Sequence, residues 1–449
     1  MVALQNVAGL VLLLAQSVTV QSMDLDSREG ILKASKALAG ELIEFYNGNE
    51  SGNIPGLLEE SNGKGNGYYW YQSGAFMSAF VDYWQLTGDD TYNDIISEGI
   101  QWQTGKDKDF MPANQTITEG NDDQSIWAMA AMTAAEYGFP APSDKKTQWY
   151  NLAKNAWDTQ RERWDTEDDS GVCYGGLRWQ IVPTNNGFNY KSTLSTALFF
   201  NLGARINRWS PSDAVADYVT TSYSWFVDNN IIDRKTKVVY DGGSVSDNCT
   251  DLNKIQWSYN AASIAMGLAY LYNDTSNSED DDSWGDLTEE MVTYTLDTFF
   301  TKDGNFKEVA CGKDTCPRDI ATYKALVHRW LALTSQLAPF LSNKILPVLR
   351  KSAKGLKAES TGKDVLEQKL ANFAIVSNLL IADSAGPMKQ NETKTEESSS
   401  DATNSATTSS SAPTSSATAA EQDSSASSLA GSGSFLALSV FILGFQWLL

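Results

Sequence analysis

The sequence predicts an all-α fold, and three observations carry that expectation. Apolar residues recur at helical spacing in segment after segment, strand-like alternation is scarce, and the connecting stretches are rich in Gly and Asn. The core, about residues 24 to 385, reads as roughly ten to twelve helices in one domain, large enough to bury an ample core without metals.

The elements follow in order. Ile31, Ala34, Leu38, Leu42 and Phe45 mark a first helix, and Phe76, Phe80, Tyr83 and Trp84 a second. Thr87-Gly88 reads as a C-cap glycine and Asp89-Asp90 as N-cap acids of a new helical pattern. Ile126, Met129, Ala130 and Ala134 mark the next. Further helices are expected over about 147–159, 193–208, 212–228, 257–272, 287–300, 319–342 and 366–382.

The two ends speak of an address. Val7 to Val20 is an apolar run with small residues near Ser17 and Ser22, so residues 1–22 read as a signal peptide, although its start carries no Lys or Arg. Residues 23–385 form the folded domain. Residues 386–427 read as a Ser/Thr-rich, disordered and O-glycosylated stalk, since little there can be buried. Residues 428–449, ending in the uncharged run Phe435 to Leu449, read as a removable GPI-anchor signal with attachment within Asp423 to Ser427. The expected location is the outer face of the plasma membrane or the wall, as a monomer.

Five sequons agree with the secretory route, at Asn49, Asn114, Asn248, Asn273 and Asn391. The four cysteines form an even set, so two disulfides are expected. Of the three connectivities, a local Cys311–Cys316 loop with a long-range Cys173–Cys249 bridge is preferred, though spacing does not prove it.

Charge and histidine count then exclude chemistries. A net charge of −22 excludes a nucleic-acid surface and argues against anionic lipid. With His328 the single histidine, any Ser-His-Asp or Cys-His mechanism must pass through it, and a histidine-rich metal site is impossible. His328 itself reads as a partly exposed helix residue, and no metal or cofactor is expected.

Paired carboxylates remain as the catalytic route. Asp122 and Asp123 lie where a loop turns into an apolar helix, and neighbouring acids can hold one proton between them. That offers an acid and a carboxylate together, as glycoside chemistry needs. Adjacency alone is no signal, because Asp89-Asp90, Asp168-Asp169 and Asp280 to Asp282 share it, and the pair also reads as an N-cap beside the helix dipole. Context adds weight. Tyr68-Tyr69-Trp70-Tyr71, Leu177-Arg178-Trp179, Val239-Tyr240-Asp241-Gly242 and Gln256-Trp257-Ser258-Tyr259-Asn260 set rings beside short polar residues at helix starts. Rings stack on sugar C–H faces while polar groups bond its hydroxyls.

The ordered motifs carry a specific resemblance. Tyr68-Tyr69-Trp70 through Gly74 to Asp82-Tyr83-Trp84 and Thr87-Gly88-Asp89 is followed by Met111 to Thr116, leading into Glu119 to Gln124. Then come Cys173 with Gly175 to Gln180, Tyr240-Asp241-Gly242, Trp257 to Asn260, and Cys311 to Cys316 with Asp319, Tyr323-Lys324 and Arg329-Trp330. From about residue 24 to 350 the chain resembles glycoside hydrolase family 76, in its fungal branch of GPI-anchored, endo-α-1,6-mannanase-like wall proteins.

The resemblance implies an (α/α)6 barrel and a retaining endo-α-1,6-mannosidase or transglycosidase of wall biogenesis. Asp122 would be nucleophile and Asp123 general acid/base. Tyr69, Trp70, Asn121, Trp127, Arg178, Trp179, Tyr240, Asp241, Trp257, Tyr259, Asn260 and Lys324 are candidates for substrate binding. The donor would be α-1,6-mannan or the mannose core of a GPI glycan, and the acceptor water or wall β-glucan. The competing readings are a mannan- or GPI-glycan-binding wall protein with weak or no turnover, and a purely structural wall protein.

Three departures from the family pattern bear on substrate preference and stability. Lys191 to Thr196 replaces an asparagine-rich stretch, Asn260-Ala261-Ala262 lacks a glycine, and a cysteine pair is missing near Ala358 to Lys369. That last absence costs a bridge of about 2 to 4 kcal/mol and would leave the final helix less tied down.

Overall fold

Helices that are buried on every side alternate along the chain with helices that are buried on one side, and this alternation sets the architecture. The computed structural model describes residues 23–59, 67–144, 147–275, 283–312, 316–356, 365–390 and 392. Helix α2 (Trp70–Thr87), α4 (Asn121–Tyr137), α6 (Thr193–Trp209), α8 (Ser258–Thr275), α10 (Ile320–Leu337) and α12 (Val365–Ser377) are the inner six. In α4 every residue from Gln124 to Tyr137 is buried. A helix apolar all round must be covered all round.

The inner helices touch in the order α2, α4, α6, α8, α10, α12, and α12 closes the ring on α2. The outer helices are α1 (Arg28–Ile43), α3 (Asn93–Trp102), α5 (Trp149–Asp169), α7 (Asp213–Asp228), α9 (Ser283–Phe299) and α11 (Ser342–Lys354). Helices α3, α5, α7, α9 and α11 each pack on the inner helix that precedes them, while α1 packs on α12. Six inner and six outer helices make the expected (α/α)6 barrel.

Because outer helices carry the chain back, the inner ones run parallel and their N-termini meet at one mouth. A three-stranded antiparallel sheet that the sequence reading did not anticipate sits there: β1 (Tyr190–Ser192), β2 (Gly242–Ser244) and β3 (Leu252–Asn253), with Ser192 opposite Gly242 and Gly242 opposite Asn253. Inside the barrel, Arg205 and Glu136 form a buried ion pair at 2.5 Å, with the Tyr270 hydroxyl donating to the same carboxylate at 2.8 Å.

Several expectations are corrected. His328 is buried, with its rings' two nitrogens bonded to the Lys324 carbonyl and to Ser352 Oγ, because α10 is an inner helix with no solvent face. The 319–342 segment breaks at Ala338-Pro339, and α11, which the sequence reading left out, follows. Gly88 does close α2 in the left-handed conformation (φ 75), but Asp89 turns back to accept from Thr91 N–H and Tyr83 O–H instead of capping α3.

Both disulfides have the expected pairing, Cys173–Cys249 and Cys311–Cys316. Among the described residues no helix is long and apolar enough to cross a membrane. Residues 1–22, Asn391, the stretch 393–449 with most of the expected stalk and the anchor signal, and 357–364 lie outside the described residues. Residues 387–390 run along the barrel, where Met388 N–H donates to the Glu136 carbonyl at 2.8 Å and Lys389 pairs with Asp274.

Candidate active site

The carboxylate pair is built from the first turn of α4. Gly120 is the N-cap, extended at φ −94, ψ 163, so Asp122 and Asp123 are the second and third helical residues. Asp123 Oδ2 accepts from Gly120 N–H at 2.7 Å, the side-chain half of a capping box. The N-cap reading and the catalytic reading therefore share one residue. A Cβ on Gly120 would collide with Asp122 Oδ1 and stand 3.0 Å from Asp123 Oδ2, so both carboxylates lean over this one glycine. Since both oxygens lie within 3.0 Å of one point, they are no more than twice that apart.

The entry loop is held by a second segment. Asn121 N–H donates to the Trp179 carbonyl at 2.9 Å, and its side-chain amide donates to the Arg178 carbonyl at 2.9 Å. The Asn121 side-chain oxygen accepts from Arg163. Asn121 thus positions the acid loop and leaves no polar end for a substrate.

Asp122 lines a cavity of about 590 Å³ at the barrel mouth, with Trp179, Tyr190, Asp241, Trp257, Tyr259, Asp319 and Tyr323 around it. One wall is a run of rings. Tyr69 stacks on Tyr71 (6.4 Å between centroids), Tyr71 on Tyr323 (5.4 Å), Tyr323 lies 4.2 Å from Tyr259, and Tyr259 stacks on Trp257 (5.5 Å). Trp179 is 43 % exposed and backed by Gly187, whose φ of +98 suits glycine.

On the sheet side, Asp241 Oδ2 accepts from the Tyr190 hydroxyl at 2.7 Å and from Asn253 Nδ2 at 3.0 Å. Asn260 is buried and donates to Asp241 Oδ1 at 3.5 Å, while its own Oδ1 has no protein partner. Asp319, at the start of α10, accepts from the Tyr71 hydroxyl at 3.1 Å.

The electrostatics follow from burial. Loss of solvent, and then the neighbouring charge, push the Asp122 carboxyl well above the carboxylate range. Burial lifts Asp123 to about 6 against the bond from Gly120 N–H. The two titrate as a unit that holds one proton near neutrality. Glu119, one residue before the cap, is also raised by burial and then by Asp123. Burial raises Asp241 and Asp319 as well. Among the described residues no group of three or more His, Cys, Asp or Glu side chains is placed to hold a metal.

Of the sequence candidates, Asp122, Trp179, Asp241, Trp257 and Tyr259 line the cavity, with Tyr69 at the far end of the ring wall and Asn260 beneath Asp241. Others are corrected. Trp127 is wholly buried between Trp70 and Phe110, and Trp70 gives its indole N–H to Gln103 at 2.9 Å, so both support the site from behind. Arg178 points to Glu167 at 2.6 Å in a separate recess. Tyr240 lies near Lys254, and Lys324 sits part-buried on α10; neither lines the cavity. Tyr71, Tyr190, Asp319 and Tyr323 were missed as site residues, although Tyr71 and Tyr323 stand inside motifs already quoted.

The comparisons agree with this geometry. The profile of Glycosyl hydrolase family 76 matches residues 30–391. Mannan endo-1,6-alpha-mannosidase DCW1 of Saccharomyces cerevisiae is 39% identical over 333 residues, 74% of this chain and 71% of that protein. The crystal structure of Dfg5 from Chaetomium thermophilum in complex with glucosamine is 41% identical, covers 82% of this chain and 94% of that one, and has a TM-score of 0.77. An inactive variant of the α-1,6-mannanase GH76A of Salegentibacter sp. HEL1_6, in complex with α-1,6-mannotriose, shares the fold at 14% identity, with 78% and 99% coverage and a TM-score of 0.60. The chain belongs to glycosyl hydrolase family 76 and is a glycosidase.

Proposed function

We propose that this chain is a retaining endo-α-1,6-mannosidase or transglycosidase that acts on the mannose core of GPI glycans or on α-1,6-mannan at the cell wall. One observation carries the mechanism: the convergence of Asp122 and Asp123 over Gly120. A retaining pair stands ~5–5.5 Å apart, whereas an inverting pair needs ~6.5–9.5 Å to admit a water. The limit set by Gly120 supports retention.

Asp122, which faces the cavity, attacks the anomeric carbon. Asp123 gives its proton to the leaving oxygen and then takes one from the incoming hydroxyl. In the empty site burial favours a proton on Asp122 too, but positive charge developing at the anomeric carbon selects the microstate with Asp122 ionised and Asp123 protonated. The ring wall from Tyr69 to Trp257 holds the chain of sugars on either side of that point.

The acceptor decides between hydrolysis and transfer, and a sugar hydroxyl stacked on the same wall would outcompete water. The carboxyls of Asp241 and Asp319 in the cavity suit a donor that carries an amine, as the glucosamine of a GPI glycan does, and the related Dfg5 was crystallised with glucosamine. The DCW1 and DFG5 relatives are named as mannan endo-1,6-alpha-mannosidases, which supports the mannoside bond as target. Secretion and a GPI anchor remain part of this proposal and rest on the terminal sequences.

The test is product analysis of the purified domain with a defined GPI glycan and a β-1,6-glucan acceptor. Retained anomeric configuration and transfer to glucan are expected, with turnover lost in Asp122→Asn and in Asp123→Asn. Inverted product, or activity of either variant on this natural donor, rejects the mechanism; binding without turnover in the unaltered protein rejects the enzyme.

A further inference from the structure

A second groove lies on the outer side of the sheet. It spans about 600 Å³ and is lined by Tyr174, Thr221, Trp225, Asn229, Asn230 and Asn248, among others. The Cys173–Cys249 disulfide, with 5.5 Å between Cα atoms, ties the Tyr174 loop to the Asn248 turn. Strand β3 separates this groove from the active site: Leu252 lines the groove, and its neighbour Asn253 lines the cavity and holds Asp241. Successive residues of a strand face opposite ways.

Asn248 opens the sequon Asn248-Cys249-Thr250 and is exposed. Its Oδ1 accepts from Cys173 N–H at 2.6 Å, which fixes the carboxamide plane and leaves Nδ2 with no protein partner. An N-glycosidic bond forms at Nδ2 and spares Oδ1, so this hydrogen bond and a glycan are compatible. Asn273 is the contrast. Its Nδ2 donates to the Leu337 carbonyl at 3.1 Å and its Oδ1 accepts from Arg208, so its amide is already used by the fold.

Tyr174 lines the same groove as Asn248 and brings a large ring to it. It is 70 % exposed, and its backbone sits at φ +50, a conformation an ordinary side chain adopts at a cost of ~1–3 kcal/mol. At that exposure most of the ring faces solvent. Aromatic faces beside amides and hydroxyls are the chemistry that holds a sugar.

We infer that the groove seats the N-linked glycan of Asn248, with the first N-acetylglucosamine stacked on Tyr174 and hydrogen-bonded to the side-chain amides of Asn229 and Asn230. The occupant is delivered by its own tether, since the sequon asparagine is one of the lining residues. A sugar held there braces β3 from outside, opposite the Asn253 contact to Asp241.

The experiment uses the full chain secreted from a glycosylating host. Peptide mass spectrometry after glycosidase release in heavy-oxygen water is expected to mark Asn248. Asn248→Asp, which keeps the Oδ1 acceptor but no glycan, and Tyr174→Ala should each lower Tm by about 2 °C, and the double variant by no more than either. Trimming the glycan to its first sugar should leave Tm unchanged. In a second readout, the N-acetyl methyl resonance of that sugar should be shifted upfield by the ring and return to its free position in Tyr174→Ala. An unmodified Asn248, a Tyr174 effect that persists without the glycan, or an unshifted methyl overturns the inference.

Discussion

Asp123 Oδ2 accepts a 2.7 Å hydrogen bond from Gly120 N–H, so the residue that closes the capping box of α4 is also one of the two carboxylates proposed for catalysis. The glycine is needed for a steric reason as well, because any Cβ there would strike Asp122 Oδ1. A new Cβ would lie 2.4 Å from Asp122 Oδ1, so Gly120→Ala should push that carboxylate by about 1 Å to reach ordinary contact and Asp123 by less. A misplacement near 1 Å costs about 10²-fold in rate, so kcat should fall by about that factor, with a smaller change in KM and a melt that stays cooperative. Steady-state kinetics and a circular-dichroism melt check this, and an unchanged kcat would show that the pair does not depend on the cap.

The same pair sets a pH profile. Burial raises Asp123 to about 6 and Asp122 further, so the pair keeps one proton near neutrality and kcat/KM should decline only at higher pH, as that last proton is lost, about tenfold per unit. It should also decline at low pH, where the pair takes up a second proton. A mannoside with a leaving group that needs no protonation, assayed with Asp123→Asn, should lose the alkaline limb.

Linkage gives the matching stability prediction. The folded-state pKa of Asp123 lies above the unfolded value, so its favourable contribution is present below pH ~4 and lost as pH rises through about 6. At pH 7 the inactive Asp123→Asn protein should melt higher than the parent, and the difference should shrink towards pH 4. Differential scanning at the two pH values decides it.

How much of this the sequence could show depended on what each pattern encodes. Helical spacing reports that a face is apolar, so the amphipathic outer helices and the inner ones were both legible as helices. It does not report whether the other face is covered too. His328, Trp127 and Trp70 were misplaced for that reason, since each lies on an inner helix whose every side meets protein. Trp179 and Trp257 precede helices in loops, and there a ring beside Asn or Gly was a sound guide to the cavity. The short strands went unread because Gly242-Gly243 gives no apolar alternation. Arg178 and Asn121 were drawn in by a motif whose polar ends are spent on holding the loop.

Asp241 offers a test of the donor. Its Oδ2 is bonded to Tyr190 and Asn253, which fixes the carboxyl towards the cavity. If it meets the amine of a GPI glycan, Asp241→Asn should raise KM for that donor by about 10-fold, the value of one charge-assisted bond. KM for unsubstituted α-1,6-mannan should change much less. An equal loss on both substrates would assign Asp241 to the architecture of the sheet.

Buried groups away from the chemistry should govern acid stability. Burial holds His328 down to about 3, and it donates from Nδ1 to the Lys324 carbonyl while Nε2 accepts from Ser352. The unfolded chain protonates this histidine near 6.5, so stability is full above that pH and is lost as pH falls from about 6.5 towards 3. The slope is on the order of 1 kcal/mol per unit. Urea titrations at pH 7 and pH 5 should show that loss reduced in His328→Gln, even though the variant is weaker at pH 7.

The Glu136–Arg205 pair gives the clearest stability prediction. Both side chains are 1 % exposed, and the contact is reinforced by Tyr270 and by Thr133, whose hydroxyl accepts from Arg205 at 2.9 Å. Removing one partner strands a charge in the barrel, so Glu136→Met should cost about 3–5 kcal/mol. Replacing both removes the stranded charge together with its desolvation penalty, so Glu136→Met with Arg205→Met should be more stable than Glu136→Met alone. Equilibrium urea unfolding of the two variants decides the point. If the double variant is the weaker, the pair stabilises the barrel by more than its charge balance, through the hydroxyl bonds that converge on it.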